Sequence, residues 1–150
     1  MLLIALSGGT SAERVAIADR LIESGKGQLV AFAQATPIAD FGPRRARILR
    51  EALEGMEDAP PALGGVVAVH CLTEEEAGEV RARGGVVWHV YGKPSRLVVI
   101  RHGDPIVTDG SEGFRHVREP LEALSELLLS RLSSGSAPMA MAALASLADG

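Results

Sequence analysis

Residues 2–14 read LLIALSGGTSAER, an apolar run that leads through two glycines into a helix-forming segment. An uninterrupted apolar run is typical of a strand buried on both faces, and therefore of a parallel sheet. Thr10 or Ser11 can cap the helix, and Glu13 lies in its first turn, where the helix dipole favours an acidic residue. The stretch predicts a strand, a tight turn and a helix as the first unit of an α/β fold.

Strand and helix patterns alternate after this unit. The predicted strands are 28–33, 66–69 and 86–91, then two short ones at 97–100 and 106–108; the predicted helices are 44–56, 73–83 and one that starts near Pro120. Right-handed crossovers place helices on both faces of a parallel sheet. The sequence therefore predicts a three-layer α/β/α domain over residues 1–132, with a mainly parallel sheet of about five strands. Residues 133–150 form a Ser/Ala-rich tail of linker composition.

The composition is that of an ordinary globular domain. The chain has 150 residues, of which 47% are hydrophobic and 23% charged, and its formal net charge is −4. This charge argues against a surface dedicated to nucleic acid. The single cysteine, Cys71, excludes an internal disulfide and a cysteine-based metal site, and we assign no metal. No targeting segment or membrane-length apolar run is present, so we expect a cytoplasmic protein without a membrane partner.

The turn after the first strand lies where a phosphate-binding P-loop would lie. Such a loop, G-x-x-x-x-G-K-[ST], wraps a phosphate with backbone N–H groups and adds a lysine and a Mg²⁺-binding hydroxyl. The chain keeps Gly8, but Glu13 replaces the second glycine, Arg14 the lysine and Val15 the hydroxyl residue. On these residues alone the match is poor, and a tight turn with no ligand is the favoured interpretation.

Several short sequence segments, taken together with their order along the chain, favour a phosphate-binding loop over a turn with no ligand. They are ALSG at 5–8, VAFA at 30–33, VVAVHCL at 66–72, GGVVWHV at 84–90 and Ser111-Glu112. Together they resemble the phage-type deoxynucleoside monophosphate kinases, which belong to the P-loop superfamily, and the resemblance covers residues 1–132. It implies a kinase-like domain encoded by a phage or prophage, with a nucleotide as its ligand.

The positions at which this chain departs from the family are those of the catalytic and phosphate-binding residues. Besides the changes at Glu13, Arg14 and Val15, the acid and the arginine of the family's D-x-R motif are replaced by His70 and Leu72. Phosphoryl transfer depends almost entirely on electrostatic positioning, so each loss is costly. The carboxylate of Glu13 would also repel phosphate oxygens. The resemblance therefore implies a degenerate, catalytically inactive kinase, a pseudoenzyme.

The resemblance also implies which residues would contact a nucleotide or phosphate. They are Ser7, Gly8, Gly9, Thr10, Ser11 and Arg14 in the turn, and Arg44 and Arg45 in the second helix. The alternative for the two arginines is a solvated helix face balanced by nearby glutamates. His70 and Cys71 lie at the end of a central strand, where α/β sheets bind ligands, although no base or acid partner is visible and packing is the simpler role.

Two other functions remain open from the sequence. One is a structural or protein-interaction role in phage virions or their assembly, with residues 133–150 as the contact arm. The other is an active kinase in which Arg14 replaces the catalytic lysine, with ATP and Mg²⁺ as its cofactors. A phage-encoded protein would reside in the host cytoplasm or in the virion.

Overall fold

The computed structural model of the chain describes residues 1–35, 42–57, 64–92, 95, 97–108 and 117–133. Within these residues, strands and helices alternate in the predicted manner. The elements are β1 (Leu2–Ser7), α1 (Ser11–Glu23), β2 (Leu29–Phe32), α2 (Gly42–Glu57), β3 (Gly65–Ala68), α3 (Glu74–Ala82), β4 (Val86–Val90), β5 (Ile106–Val107) and α4 (Pro120–Ser133), with a short 3₁₀ turn at Lys26–Gln28.

The five strands form one parallel sheet in the order β2-β3-β1-β4-β5. β1 is central and is buried along its whole length, which explains its uninterrupted apolar sequence. The predicted three-layer α/β architecture with a five-stranded, parallel sheet is confirmed.

The two faces of the sheet carry different helices. One apolar cluster joins Leu2, Ile4 and Leu6 of β1 to α1 and α4. Because side chains alternate along a strand, Leu3 and Ala5 lie in a second cluster on the opposite face, with α2 and α3. Burial of these two clusters provides the main drive for folding.

The strand order creates a switch point beside β1. β1 continues into α1 on one face, whereas its neighbour β3 continues into α3 on the other face. The two connections therefore diverge and leave a crevice between the carboxyl ends of β1 and β3. In open α/β sheets, ligands bind at such a crevice.

Some predicted details are wrong. Residues 97–100 do not form a strand, and of the predicted pair only Ile106–Val107 pairs with β4. In α1, the apolar side chain of Val15 is 40% exposed, whereas the charged Arg14 lies on the buried face of the helix.

Other predicted features lie outside the described residues, namely Ser111-Glu112 and the tail beyond Ser133. Among the helices that are described, none is both long enough and apolar enough to span a membrane.

Candidate functional site

We call the site at the switch point the crevice, and define it by the turn Ser7–Thr10 after β1 and the segment His70–Thr73 after β3. The N–H of Cys71 donates to the carbonyl oxygen of Leu6 at 2.9 Å, which joins the two segments. Helices α1 and α3 begin just beyond them, and α2 contributes Arg45. The crevice therefore gathers residues from three helices and two strands.

The turn between β1 and α1 requires its two glycines. Gly8 and Gly9 have φ angles of 77° and 61°, in the left-handed region that favours glycine. A Cβ on Gly9 would also lie 2.7 Å from Cγ1 of Val90. The Gly-Gly pair is thus explained by backbone geometry and close packing.

A complete capping box closes the start of α1. The Thr10 hydroxyl accepts from the N–H of Glu13 at 3.1 Å, and the Glu13 carboxylate accepts from the N–H of Thr10 at 2.9 Å. Glu13 is therefore held at the helix N-terminus, where an anionic ligand would otherwise bind.

Arg14 is folded into its own turn. Its Nη1 donates to the carbonyl oxygens of Gly8 at 2.7 Å and Gly9 at 3.2 Å, and its Nε donates to Nδ1 of His70 at 3.1 Å. The residue is only 7% exposed. Burial lowers the pKa of Arg14, but a guanidinium starts so high that it stays charged. The cation at the expected lysine position is thus engaged by the backbone that would surround a phosphate.

His70 links the two buried arginines of the crevice. A guanidinium can only donate, so Nδ1 is the acceptor from Arg14, and the ring proton of the neutral imidazole lies on Nε2. The backbone carbonyl of His70 accepts from Nη2 of Arg45 at 3.0 Å. Burial, then the charges of Arg14 and Arg45, lower the pKa of His70, so the ring is neutral at physiological pH.

Arg45 forms a buried ion pair with Glu76. Its Nε lies 2.6 Å from Oε1 of Glu76, Nη2 lies 3.4 Å from Oε2, and both side chains are 1% exposed. The hydroxyl of Thr73 donates to the same carboxylate at 3.0 Å. The pair joins α2 to α3, so the second arginine of the crevice is also bound by the protein itself.

The predicted site residues are brought together only in part. Gly8, Gly9 and Thr10 lie in the turn, the side chain of Arg14 folds back onto it from α1, and Arg45 reaches the same histidine as Arg14. Ser11 and Arg44 are exposed at the helix starts.

Ser7 differs from the other turn residues in the direction of its side chain. By alternation along β1, this side chain lies on the sheet face covered by α2 and α3. It is fully buried, and its hydroxyl has no hydrogen-bond partner among the residues that the structure describes.

A second polar cluster lies on this same face and was not predicted. His89 on β4 is in register with Ser7 and is 1% exposed. Its Nε2 lies 2.8 Å from Oδ2 of Asp104, which also accepts from Nη2 of Arg81 at 2.7 Å. Burial alone would raise the pKa of Asp104, but hydrogen bonds from the Arg101 N–H, His89 and Arg81 outweigh it, and the pKa is lowered. The one sign of this cluster in the sequence is that His89 lies within the apolar run of β4, which predicts that its side chain is buried.

Neither a reactive thiol nor a metal site is found at the described part of the crevice. Burial, followed by the charge of Glu76, raises the pKa of the Cys71 thiol to about 12, so the group stays protonated and non-nucleophilic. Among the residues with described positions, no group of three His, Cys, Asp or Glu side chains could hold a metal ion.

A cavity of about 550 Å³ lies away from the crevice, between the sheet and α4. Its walls include Trp88, Ile106 and Leu127, and its rim includes Arg118 and Glu126. Those two charged groups form an ion pair with each other. Pockets of this size can hold small molecules, but they need free polar groups to orient them.

Comparisons with known proteins do not identify a relative: no family model matches the chain, and no curated protein or solved structure gives a significant match.

Proposed function

We propose that this chain is a non-catalytic relative of the phage-type deoxynucleoside monophosphate kinases, with weak residual binding of a phosphate or nucleotide at the crevice. The observation that carries the proposal is the position of Arg14. A catalytic cation must be available to stabilise charge that develops on the transferred phosphoryl group. Arg14 donates instead to two carbonyl oxygens of its own turn and to His70.

The Glu13 carboxylate supports the same conclusion. It accepts the N–H of Thr10 and therefore lies at the N-terminus of α1. A phosphate oxygen about 4 Å from this carboxylate would be repelled by about 4 kcal/mol at an effective dielectric constant of about 20. Nucleotide binding at neutral pH must then be weak, because an anion has to displace the hydrogen bonds of Arg14 and also approach a like charge.

A phosphotransfer assay tests the proposal. Purified protein with ATP, Mg²⁺ and each deoxynucleoside monophosphate is expected to release no ADP above a control without protein. ADP formation that depends on the monophosphate, and that the Arg14→Ala variant lacks, would establish the active-kinase alternative instead.

The Glu13→Gln variant tests the second part of the proposal, namely that the crevice binds a nucleotide weakly. Glutamine keeps an oxygen that can accept from Thr10 N–H, but it removes the negative charge. A thermal-shift titration with ATP should therefore show at least tenfold tighter binding for the variant than for the wild type, which corresponds to about 1.4 kcal/mol. Glu23→Gln, at the other end of the same helix, is the matched control. A flat response of both proteins to millimolar ATP would exclude nucleotide binding at the crevice.

A second candidate function is protein interaction, and a specific observation favours it. Four apolar side chains beyond β4 are 44–61% exposed, namely Tyr91, Leu97, Val99 and Ile100. Tyr91 and Ile100 also line one pocket together with Ile106. Exposed apolar groups that lie close together are typical of contact surfaces.

Three versions of the chain separate the candidate surfaces: the full chain, the chain without residues 133–150, and the Val99→Ser/Ile100→Ser double variant. Capture of a virion or assembly protein is measured for each. Loss of capture in the double variant assigns the contact to the apolar group, and loss in the truncated chain assigns it to the tail. Capture that is equal for all three would refute both surfaces.

A further inference from the structure

Arg14 is held in the turn partly by a single histidine nitrogen. Its Nη1 is bound by the carbonyl oxygens of Gly8 and Gly9, but its Nε is bound only through the lone pair on Nδ1 of His70, at 3.1 Å. That lone pair exists only while Nδ1 carries no proton. The state of one titratable ring therefore decides whether this hydrogen bond can form.

The charged groups around the ring come from three helices. Glu13 and Arg14 belong to α1, Arg45 to α2 and Glu76 to α3. Arg45 and Glu76 pair with each other at 2.6 Å, whereas the guanidinium of Arg14 contacts the ring directly through its Nε. Glu13, the remaining carboxylate, is bound to the N–H of Thr10. The adjacent Cys71 stays a neutral thiol.

We propose that His70 is a proton-operated latch on Arg14, and that its protonation turns the crevice into a site for a tetrahedral oxyanion such as a phosphate group. This inference rests on the proposed function, because it specifies when the residual phosphate site is available. In the latched form the arginine occupies the turn, and in the released form it faces the ligand.

The chemistry of the release is simple. A proton from solvent adds to Nδ1, which changes the nitrogen from acceptor to donor and places an imidazolium against a guanidinium. Two cations about 3 Å apart repel each other, and solvent screens this repulsion only in part, because Arg14 is buried and His70 is half-buried. The guanidinium therefore leaves the ring. An anion that bridges the imidazolium and the guanidinium removes the repulsion, and the planar fork of arginine suits a tetrahedral oxyanion.

The direction of titration is consistent with a latch that is closed at neutral pH. Burial, Arg14 and Arg45 lower the pKa of His70, so acid is needed to open it. Binding and protonation are reciprocal, so the bound anion must in turn raise the pKa of His70.

Sulfate is the appropriate probe, because it stays doubly charged between about pH 5 and 8, whereas phosphate changes its own charge there. Sulfate affinity is measured by calorimetry at pH 7.5 and pH 5.2, at constant ionic strength, with Trp88 fluorescence as the check that the protein stays folded. We expect at least tenfold tighter binding at pH 5.2. The NMR titration of His70 Cε1–H should move to higher pH when sulfate is added.

Two variants of the latch and one control make the result decisive. His70→Gln keeps an acceptor for Arg14 without a titratable group, and should bind sulfate weakly at both pH values. His70→Lys carries a permanent charge, and should bind sulfate at pH 7.5 as the wild type does at pH 5.2. His102→Gln, at an exposed histidine, should behave as the wild type.

Equal gains of sulfate affinity in the wild type and in His70→Gln would overturn the latch, as would the absence of any gain in the wild type. If His70→Lys does not fold, the NMR titration of the wild-type ring alone decides the matter. Phosphotransfer by the wild type would overturn the proposed function without changing these titrations, so the two failures can be told apart.

Discussion

Replacement of Arg14 by methionine tests whether this arginine stabilises the fold or is kept available for a ligand. Methionine keeps the apolar stem but loses three hydrogen bonds, to Gly8 at 2.7 Å, to His70 at 3.1 Å and to Gly9 at 3.2 Å. Hydrogen bonds from a charged donor contribute about 1.5–3 kcal/mol each, and the removal of a buried guanidinium relieves several kcal/mol of desolvation. We predict a net loss of about 2–3 kcal/mol in the free energy of unfolding.

Urea denaturation followed by tryptophan fluorescence measures this loss. Trp88 is the single tryptophan and is 1% exposed, so its emission reports global unfolding. With a urea slope of about 2 kcal/mol per M, the midpoint should fall by about 1 M or more. The control is Arg20→Met on the same helix, whose exposed ion pair with Glu119 contributes at most about 1 kcal/mol. An Arg14→Met protein as stable as the wild type, or more stable, would refute a structural role for Arg14.

Three further predictions follow from the same contacts. Arg45→Met should cost about 3–5 kcal/mol because it leaves the buried Glu76 carboxylate uncompensated, whereas the double variant Arg45→Met/Glu76→Leu should recover most of that loss; urea midpoints test both. Stability should fall as the pH drops below 6.5, the ordinary pKa of histidine, because the unfolded chain takes up a proton before the folded His70 does, and a His70→Gln protein should lose this part of the pH dependence. Ser7→Ala should leave stability within about 0.5 kcal/mol of the wild type or raise it, because the buried hydroxyl has no partner within the described part of the chain; a larger loss would show that the hydroxyl is bonded.

The fold could be predicted from sequence because periodicity and burial agree along most elements. The apolar runs in β1, β3 and β4 are long enough to identify buried strands, and the candidate caps Thr10 and Ser11, followed by the acidic Glu13, indicated where α1 starts. Residues 97–100 were wrongly predicted as a strand, because Leu97, Val99 and Ile100 have β-forming side chains but lie exposed outside the sheet. Propensity alone cannot tell an exposed apolar segment from a short strand.

The sequence predicted where the crevice lies in the fold, but not how its side chains contact one another. The position of the turn after a buried strand indicates the carboxyl edge of a sheet, where ligands bind. The direction in which Arg14 points could not be predicted, because it depends on His70, which is distant in sequence and close only in the folded sheet. The same holds for Arg45 and Glu76, a pair that the sequence presents as two ordinary charged helix residues.

The central claim is that the turn is occupied by the protein's own arginine. The most direct measurement is an NMR titration of the Arg14 Nε–H resonance with ATP and Mg²⁺ at pH 7.5, in a protein with ¹⁵N-labelled arginine and histidine. We predict that this resonance, and the ¹⁵N chemical shift of His70 Nδ1 as a hydrogen-bond acceptor, stay at their ligand-free positions throughout the micromolar range of nucleotide. A saturable shift of both nuclei at micromolar nucleotide would contradict the claim, because Arg14 would then leave the turn to bind the ligand.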